Sequence, residues 1–468
     1  MLRNSQDSSA ALKGVSAATA NSENVAHAGL PARRACIFTL GCRLNQYETE
    51  VLRDKLAAAG YRVVEWGEPA DLAIINTCTV TGLAEAKCRQ IIRGFIKANP
   101  QGFCAVVGCY SQTGTPALAR IPGIDLIVGN QDKLNVLDYV GDGTKNAVPV
   151  IVREKISRED FSVSFVGEMP FNKRANIKVQ DGCNFMCSYC IIPFARGRAR
   201  SRELGNLLDE ARSLASRGVR ELVLTGVNIG TYDNAGTDIL GVVDALAAIP
   251  GIDRIRIGSI EPKTIPDGIF DRMSDPAHPL MPFLHLPIQS GCERILRDMH
   301  RHYTLTEYLE FVEQIASRVP DICIGTDIMI GFPGETDEEF AETCATFMNG
   351  PFAYCHVFTY SERAGTPAAR RPDRVPVPVR QRRSAALRAL SSQKRRAFME
   401  RYLGKDVEVL FENPAGDTFP GYTRNYLRVI LPASEFPGEA LANQMRTVRL
   451  ISVAGDAFYA TRIPEFHR

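Results

Sequence analysis

Ile177-Lys-Val-Gln180-Asp-Gly-Cys183-Asn-Phe-Met-Cys187-Ser-Tyr-Cys190 places three cysteines, separated by three and then two residues, on a turn that follows a short apolar, strand-like segment at 177–180. Three thiolates are one short of the set that closes a structural zinc site or a fully ligated four-iron cluster. A four-iron cluster held this way keeps one iron without a protein ligand, open to a small molecule. The alternative is half of a zinc site on Cys187 and Cys190. It lacks a partner, because no second CxxC or HxxxH pair occurs elsewhere in the sequence.

Around that turn, residues 173–370 alternate strand-like and helical segments about six times. Strands are predicted at 177–180, 221–225, 254–257, 283–286, 322–328 and 354–358, with helices between most of them, for instance 204–216 and 337–347. Such alternation predicts α/β architecture with parallel strands, a partial or full (βα)6 barrel of TIM type, and chemistry at the carboxyl ends of the strands. Upstream, strands at 35–40, 72–75 and 104–107 alternate with helices at 46–59 and 83–98, which predicts a separate parallel-sheet α/β domain. Downstream, Pro372, Pro376 and Pro378 mark a break before a basic helical segment at 380–402. Short alternating runs at 407–411, 426–431 and 447–453 then predict a small all-β barrel. The expected division is a disordered tail at 1–32, a first domain at 33–150, a linker at 151–172, a barrel domain with its basic helical end at 173–402 and a β-domain at 403–468.

The chain has 468 residues, 45% hydrophobic and 23% charged, with a net charge of +2. This describes an ordinary globular protein with room for roughly three domains. With so small a net charge, any nucleic-acid binding depends on local patches. The 13 cysteines are an odd number with no secretory signal, which predicts a reducing, cytoplasmic compartment and metal chemistry rather than disulfides. No apolar run approaches the roughly 20 residues that span a bilayer, so no membrane association is expected.

Three more cysteines share one kind of position. Cys42, Cys78 and Cys109 each fall just after a predicted strand of the first domain, among small or polar neighbours. In a parallel sheet such loops converge at one edge. The trio is therefore a second candidate ligand set, again with one iron free; the competing reading is three small buried hydrophobes.

Taken together these motifs resemble the radical S-adenosylmethionine methylthiotransferases. The Cys-x3-Cys-x2-Cys run with Tyr189 before its last cysteine is similar to the superfamily signature. Gly41-Cys42-x2-Asn45, Asn76-Thr77-Cys78 and Gly108-Cys109-x2-Gln112 resemble the amino-terminal methylthiotransferase motifs. So do Cys190-Ile-Ile-Pro-x2-Arg196-Gly197, Leu224-Thr-Gly-Val-Asn-Ile-Gly230, Ser259-Ile-Glu261-Pro262, His285-Leu-Pro-Ile-Gln289-Ser290-Gly291 and Gly331-Phe-Pro-Gly334-Glu335-Thr336. The terminal barrel looks like a TRAM domain, and Gly421-Tyr422-Thr423-Arg424-Asn425-Tyr426 resembles the subgroup acting on threonylcarbamoyladenosine in tRNA.

What the resemblance implies is a tRNA-modifying enzyme with two 4Fe–4S clusters, on Cys183, Cys187 and Cys190 and on Cys42, Cys78 and Cys109, and S-adenosylmethionine as cofactor. The reaction would replace C–H by C–S–CH3 at C2 of adenine, a bond no side-chain acid or base at neutral pH can open, so cofactor chemistry is needed. Isopentenyladenosine tRNA or a ribosomal-protein aspartate is the alternative substrate, and an RNA-binding protein with zinc or no metal the alternative class. Expected cofactor contacts are Gly226, Asn228, Ser259, Glu261, Gln289 and Ser290, whereas Glu335 is read as structural. Cysteines 36, 88, 104, 292, 323, 344 and 355 are assigned to packing. RNA contacts are expected from Arg196, Arg198, Arg200 and Arg202 on one face of an extended segment, from the eleven Lys and Arg between Arg370 and Arg401, and from Tyr422 and Tyr426. A reductase or flavodoxin-type electron donor and a monomeric state complete the expectation.

Overall fold

The computed structural model describes residues 33–165 and 174–463; the tail expected at 1–32 and residues 166–172 of the expected connector lie outside them. The first sheet has six parallel strands in the order Arg62–Val63, Arg34–Thr39, Leu72–Thr77, Phe103–Gly108, Leu126–Val128, Val150–Val152. Leu72–Thr77 and Phe103–Gly108 are buried at every position, as a continuous apolar run becomes when both faces of a parallel sheet are covered. Ala73 and Ile75 pack toward Ile92 and Phe95 of helix Gly82–Ala98. Leu72 and Ile74 pack toward Leu52 and Leu56 of helix Arg43–Ala58.

Six further parallel strands follow in chain order. Arg174–Lys178, Glu221–Thr225 and Arg254–Ile257 form one sheet; Phe283–His285, Cys323–Ile330 and Tyr354–Thr359 form another. A bridge between Ile255 and Leu280 joins them at neighbouring edges. Among the described strands the last does not pair with the first, so the barrel is partial. Helices Leu305–Arg318 and Asp337–Asn349 each begin with a capping box, Thr304 with Glu307 and Thr336 with Glu339. Each such cap stabilises its helix by about 1 kcal/mol.

Helix Val377–Glu400 leads to a closed barrel in the order Asp406–Phe411, Thr418–Thr423, Arg428–Pro432, Ala457–Arg462, Met445–Ala454. Strand Thr418–Thr423 lies outside the runs expected from the sequence, because Pro420 and Gly421 interrupt its pattern. The barrel does not stand apart. Its Val409, Phe411, Val429 and Phe458 share one apolar core with Phe283, Cys323, Ala353 and Phe398 of the preceding domain.

The first two α/β parts meet through buried charge. Glu48 on helix Arg43–Ala58 is 1% exposed and pairs with Lys133, with Lys178 (3.0 Å) and with Arg196 (3.0 Å). Asp181 adds pairs to Lys178 (2.7 Å) and Arg196 (3.1 Å). Burial pushes the Glu48 carboxyl up, but Arg196, Lys133 and Lys178 outweigh it and hold it well below the usual carboxylate range.

Candidate active site

Cys42, Cys78 and Cys109 follow three adjacent parallel strands, Arg34–Thr39, Leu72–Thr77 and Phe103–Gly108, so all three lie at one sheet edge. Two glycines make this approach possible. Gly41 has φ +109°, and a Cβ there would sit 2.9 Å from Cys78 Cβ; Gly108 has φ +99°, and its Cβ would meet Asn76 Oδ1 at 2.6 Å. Asn130 donates through Nδ2 to Cys109 Sγ at 3.5 Å and to the Ala195 carbonyl at 2.7 Å, tying this edge to the segment after Cys190. Cys42 is exposed, whereas Cys78 and Cys109 are buried. Burial pushes the Cys78 thiol up to about 11, with Cys109 and Cys42 adding to the shift.

The second trio sits beyond strand Arg174–Lys178. Gln180 organises the turn: its Oε1 accepts from the Val227 and Asn228 amides (2.9 and 3.1 Å), and its Nε2 donates to the Gly182 carbonyl (2.7 Å). Burial raises all three thiols, Cys190 to about 12, and each is raised further by a neighbour of the trio or by Glu261. Arg301 donates through Nη1 to Cys187 Sγ at 3.5 Å and pairs through Nη2 with Glu261. Burial raises the Glu261 carboxyl despite that guanidinium.

Each trio offers three free thiols, and in a cluster each thiolate binds its own iron. Thiols that burial keeps protonated become ligands only where metal displaces the proton.

Two cavities flank these cysteines. The larger, about 520 Å³, gathers Cys42 and Arg43 from the first domain, Gly226, Ser259 and His285 from strand ends of the partial barrel, Asp327 and His356 from within its last two strands, and Tyr422, Tyr426 and Arg428 from the β-barrel. The smaller, about 180 Å³, is lined by Tyr189, Cys190, Gln289 and Met329 together with Val80 and Thr81. Asp327 and Phe358 border both. His285 Nε2 lies 2.7 Å from Asp327 Oδ1, and its ring lies 5.2 Å from that of His356.

Not every expected contact lies here. Gly226 and Ser259 line the larger cavity and Gln289 the smaller. The space a Cβ on Gly226 would take is filled by Gln180 Oε1 (2.9 Å) and Ile229 (2.7 Å), so the glycine serves packing as well. Asn228 is buried and holds the following loop, its Oδ1 accepting from the Glu261 amide (3.1 Å), while Nδ2 has no described partner. Ser290 is fully buried, and its hydroxyl faces Thr343 and the Cys292 amide; it belongs to helix packing. Arg196 and Arg202 are also misassigned by sequence. Residues 192–196 are helical, so the four arginines do not alternate on one strand. Arg196 lies in the buried network, Arg202 pairs with Glu210, and Arg198 alone of the four is exposed. In the basic helix, Arg380 donates to the Val375 and Tyr360 carbonyls (2.7 and 2.9 Å) and Arg383 binds Glu335 (2.6 Å) and Asp337 (2.7 Å), so these too are structural. Glu335 also accepts from the Gly331 amide (2.8 Å); it is structural, but not the aid to capping the following helix that its position suggests, since Thr336 and Glu339 form that cap.

Arg301, His285, Asp327, Tyr354, His356 and Arg43 were not expected. The run His300-Arg301-His302-Tyr303, dense in polar rings and charge directly after a helix, was the available signal for Arg301.

Residues 177–347 match the family model described as the Radical SAM superfamily, and residues 34–129 match one described as Uncharacterized protein family UPF0004. A threonylcarbamoyladenosine tRNA methylthiotransferase MtaB of Bacillus subtilis (strain 168) is 37% identical over 412 residues, 85% of this chain and 90% of that protein. A tRNA-2-methylthio-N(6)-dimethylallyladenosine synthase of Cereibacter sphaeroides is 35% identical over 386 residues, 81% of this chain and 88% of that protein. Among solved structures, the radical S-adenosylmethionine methyltransferase TsrM of Kitasatospora setae superposes with a TM-score of 0.51 at 16% identity, over 72% of this chain and 77% of that one, and shares the fold. Likeness to the first two proteins over most of each chain, with both cysteine trios at strand ends of the matched regions, means that this chain belongs to the radical S-adenosylmethionine methylthiotransferase family.

Proposed function

We propose that the protein methylthiolates C2 of N6-threonylcarbamoyladenosine next to the anticodon of tRNA. In this reading Cys183, Cys187 and Cys190 hold one 4Fe–4S cluster and Cys42, Cys78 and Cys109 the other. The observation that carries it is the pair of adjoining cavities, one bordered by Cys190 and the other by Cys42, with Asp327 and Phe358 common to both. When bound, the clusters and S-adenosylmethionine supply the one-electron chemistry that removes a hydrogen from adenine C2 and the sulfur and methyl group that replace it.

The chain's own part is positioning. Gln180 fixes the turn that presents Cys183. Arg301 neutralises Glu261 and offers an N–H to Cys187, so a negatively charged centre there keeps a buried counter-charge. Gln289 and Tyr189 line the smaller cavity, where S-adenosylmethionine would sit. The larger cavity takes the adenosine, with His285 held by Asp327 and with Tyr422 and Tyr426 forming its aromatic wall. Segments 33–150, 173–402 and 403–468 then act as cluster-binding, radical and RNA-binding parts. A flavodoxin-type reductant as electron source, a monomeric state and a cytoplasmic setting belong to the same proposal; among the described residues no helix is long and apolar enough to cross a membrane.

The first test is mass spectrometry of tRNA nucleosides from cells lacking the gene and from cells with it restored. Gene-dependent 2-methylthio-threonylcarbamoyladenosine is the expected result. Loss of methylthiolated dimethylallyladenosine instead would move the substrate to that of the Cereibacter relative. In purified protein, Cys187→Ala is expected to abolish cleavage of S-adenosylmethionine to deoxyadenosine, and Cys78→Ala to retain cleavage but yield no methylthiolated product.

A further inference from the structure

The larger cavity holds more positive charge than the positioning roles above use. Arg43, Arg395 and Arg428 line it against Asp327 and Asp456. Asp327 is engaged by His285 at 2.7 Å, and Asp456, largely solvent-exposed, holds one end of Arg395, its carboxylate at 3.9 Å and its backbone carbonyl accepting from Nη2 at 3.5 Å. Arg43 pairs with no described carboxylate. It donates to the Tyr426 hydroxyl at 3.2 Å and lies 5.7 Å from the centre of that ring. Arg395 lies 5.5 Å from the centre of the Tyr354 ring, and its Nε is buried without a described partner. Arg43 follows Cys42 and Arg395 stands on helix Val377–Glu400, yet both line this one cavity, each beside an aromatic ring of its wall. Burial and His285 depress the His356 imidazolium, and Arg395 and Arg43 depress it further.

The two nucleosides that relatives of this chain are named for differ in a way these groups can sense. A dimethylallyl substituent is neutral and apolar, and burying it against guanidiniums strips them of water without return. A threonylcarbamoyl substituent ends in a carboxylate beside a hydroxyl, and guanidinium binds carboxylate through two parallel, charge-assisted hydrogen bonds. We propose that Arg43 and Arg395 bind the threonyl carboxylate of the substrate adenosine and so select it over adenosines whose N6 substituent is absent or neutral. Tyr426, within the segment Gly421–Tyr426 that resembles the threonylcarbamoyladenosine subgroup, orients Arg43 through its hydroxyl. This inference rests on the tRNA-adenosine reading above and adds the residues that discriminate.

Loop phosphates are the other oxyanions these arginines could meet, and the test separates the two. Anticodon stem-loops identical except for one adenosine, carrying threonylcarbamoyl, dimethylallyl or no substituent, are titrated anaerobically against the full, cluster-loaded chain. The wild type is expected to bind the threonylcarbamoyl stem-loop more tightly than the unsubstituted one. Arg43→Gln and Arg395→Gln are each expected to shrink that ratio of Kd values about tenfold, the scale of a lost charge-assisted hydrogen bond. Arg43→Lys is expected to keep part of it. An equal loss for all three stem-loops assigns the arginines to phosphates and overturns the proposal. A wild-type enzyme that turns over only the dimethylallyl stem-loop overturns the substrate reading itself, and that failure is visible before any variant is made.

Discussion

Glu48 balances three cations at once, and its removal therefore costs more than the loss of one ion pair. Glu48→Gln would leave Lys178 and Arg196 buried with Asp181 as their remaining carboxylate, and Lys133 buried with no carboxylate described beside it. Breaking a buried pair from one side costs about 3–5 kcal/mol, because the charge left behind has lost both water and partner. Thermal melts of the variant at pH 7 are expected to show that loss as a clearly lower midpoint. The pH dependence has a definite sign. The Glu48 carboxyl is lower in the folded state than in the unfolded chain, so its contribution is complete above the ordinary carboxylate value of about 4.3 and fades as pH falls toward the depressed folded value. Wild-type melting midpoints are expected to drop as pH falls below about 4, with a shallower drop in the variant, which has already lost this contribution.

The elements that carry the first cysteine trio depend on glycine as much as on cysteine. Gly108 ends strand Phe103–Gly108 with φ +99°, and a Cβ would fall 2.6 Å from Asn76 Oδ1 and 2.8 Å from the Thr77 carbonyl. Those two residues belong to the strand that ends just before Cys78. Gly108→Ala is therefore expected to destabilise the fold by about 1–3 kcal/mol through backbone strain. It should also spread the loops of Cys78 and Cys109. Iron analysis of the reconstituted variant is expected to fall from about eight irons per chain toward four, the other cluster being retained. The sequence marked this edge well, since strand–cysteine adjacency repeats three times. It marked the arginine-rich elements badly. Alternation at 196–202 predicts a solvated face only for an extended segment, and the helix at Ile192–Arg196 turns Arg196 inward instead.

At the scale of the molecule the three parts share charges and core rather than resting on flexible linkers. Arg254 reaches Glu408 (2.9 Å) and the Tyr422 carbonyl (2.8 Å), and Arg256 the Arg424 carbonyl (3.1 Å), all on the β-barrel. Phe283 and Phe398 lie in the barrel's apolar core. Truncation after Lys405 is accordingly expected to lower the melting temperature of the remaining chain and promote aggregation, read by light scattering, and not simply to remove a tRNA-binding module. Point changes at the cavity wall, where the β-barrel contributes Tyr422 and Tyr426, isolate its role without opening that core.

The sequence by itself determined the six candidate ligand cysteines, the family and the six strands of the partial barrel, but only three of the six strands of the first sheet and three of the five of the β-barrel. Local spacing, apolar periodicity and the residues flanking each cysteine carry that information, and all are properties of neighbours in the chain. Only the tertiary structure decided which charges are solvated and which are counter-ions, and that Arg43, His285, His356, Arg395 and Tyr426 border one cavity. Those residues lie tens to hundreds of positions apart, and a guanidinium looks the same in sequence whether folding leaves it in water or brings a carboxylate to it.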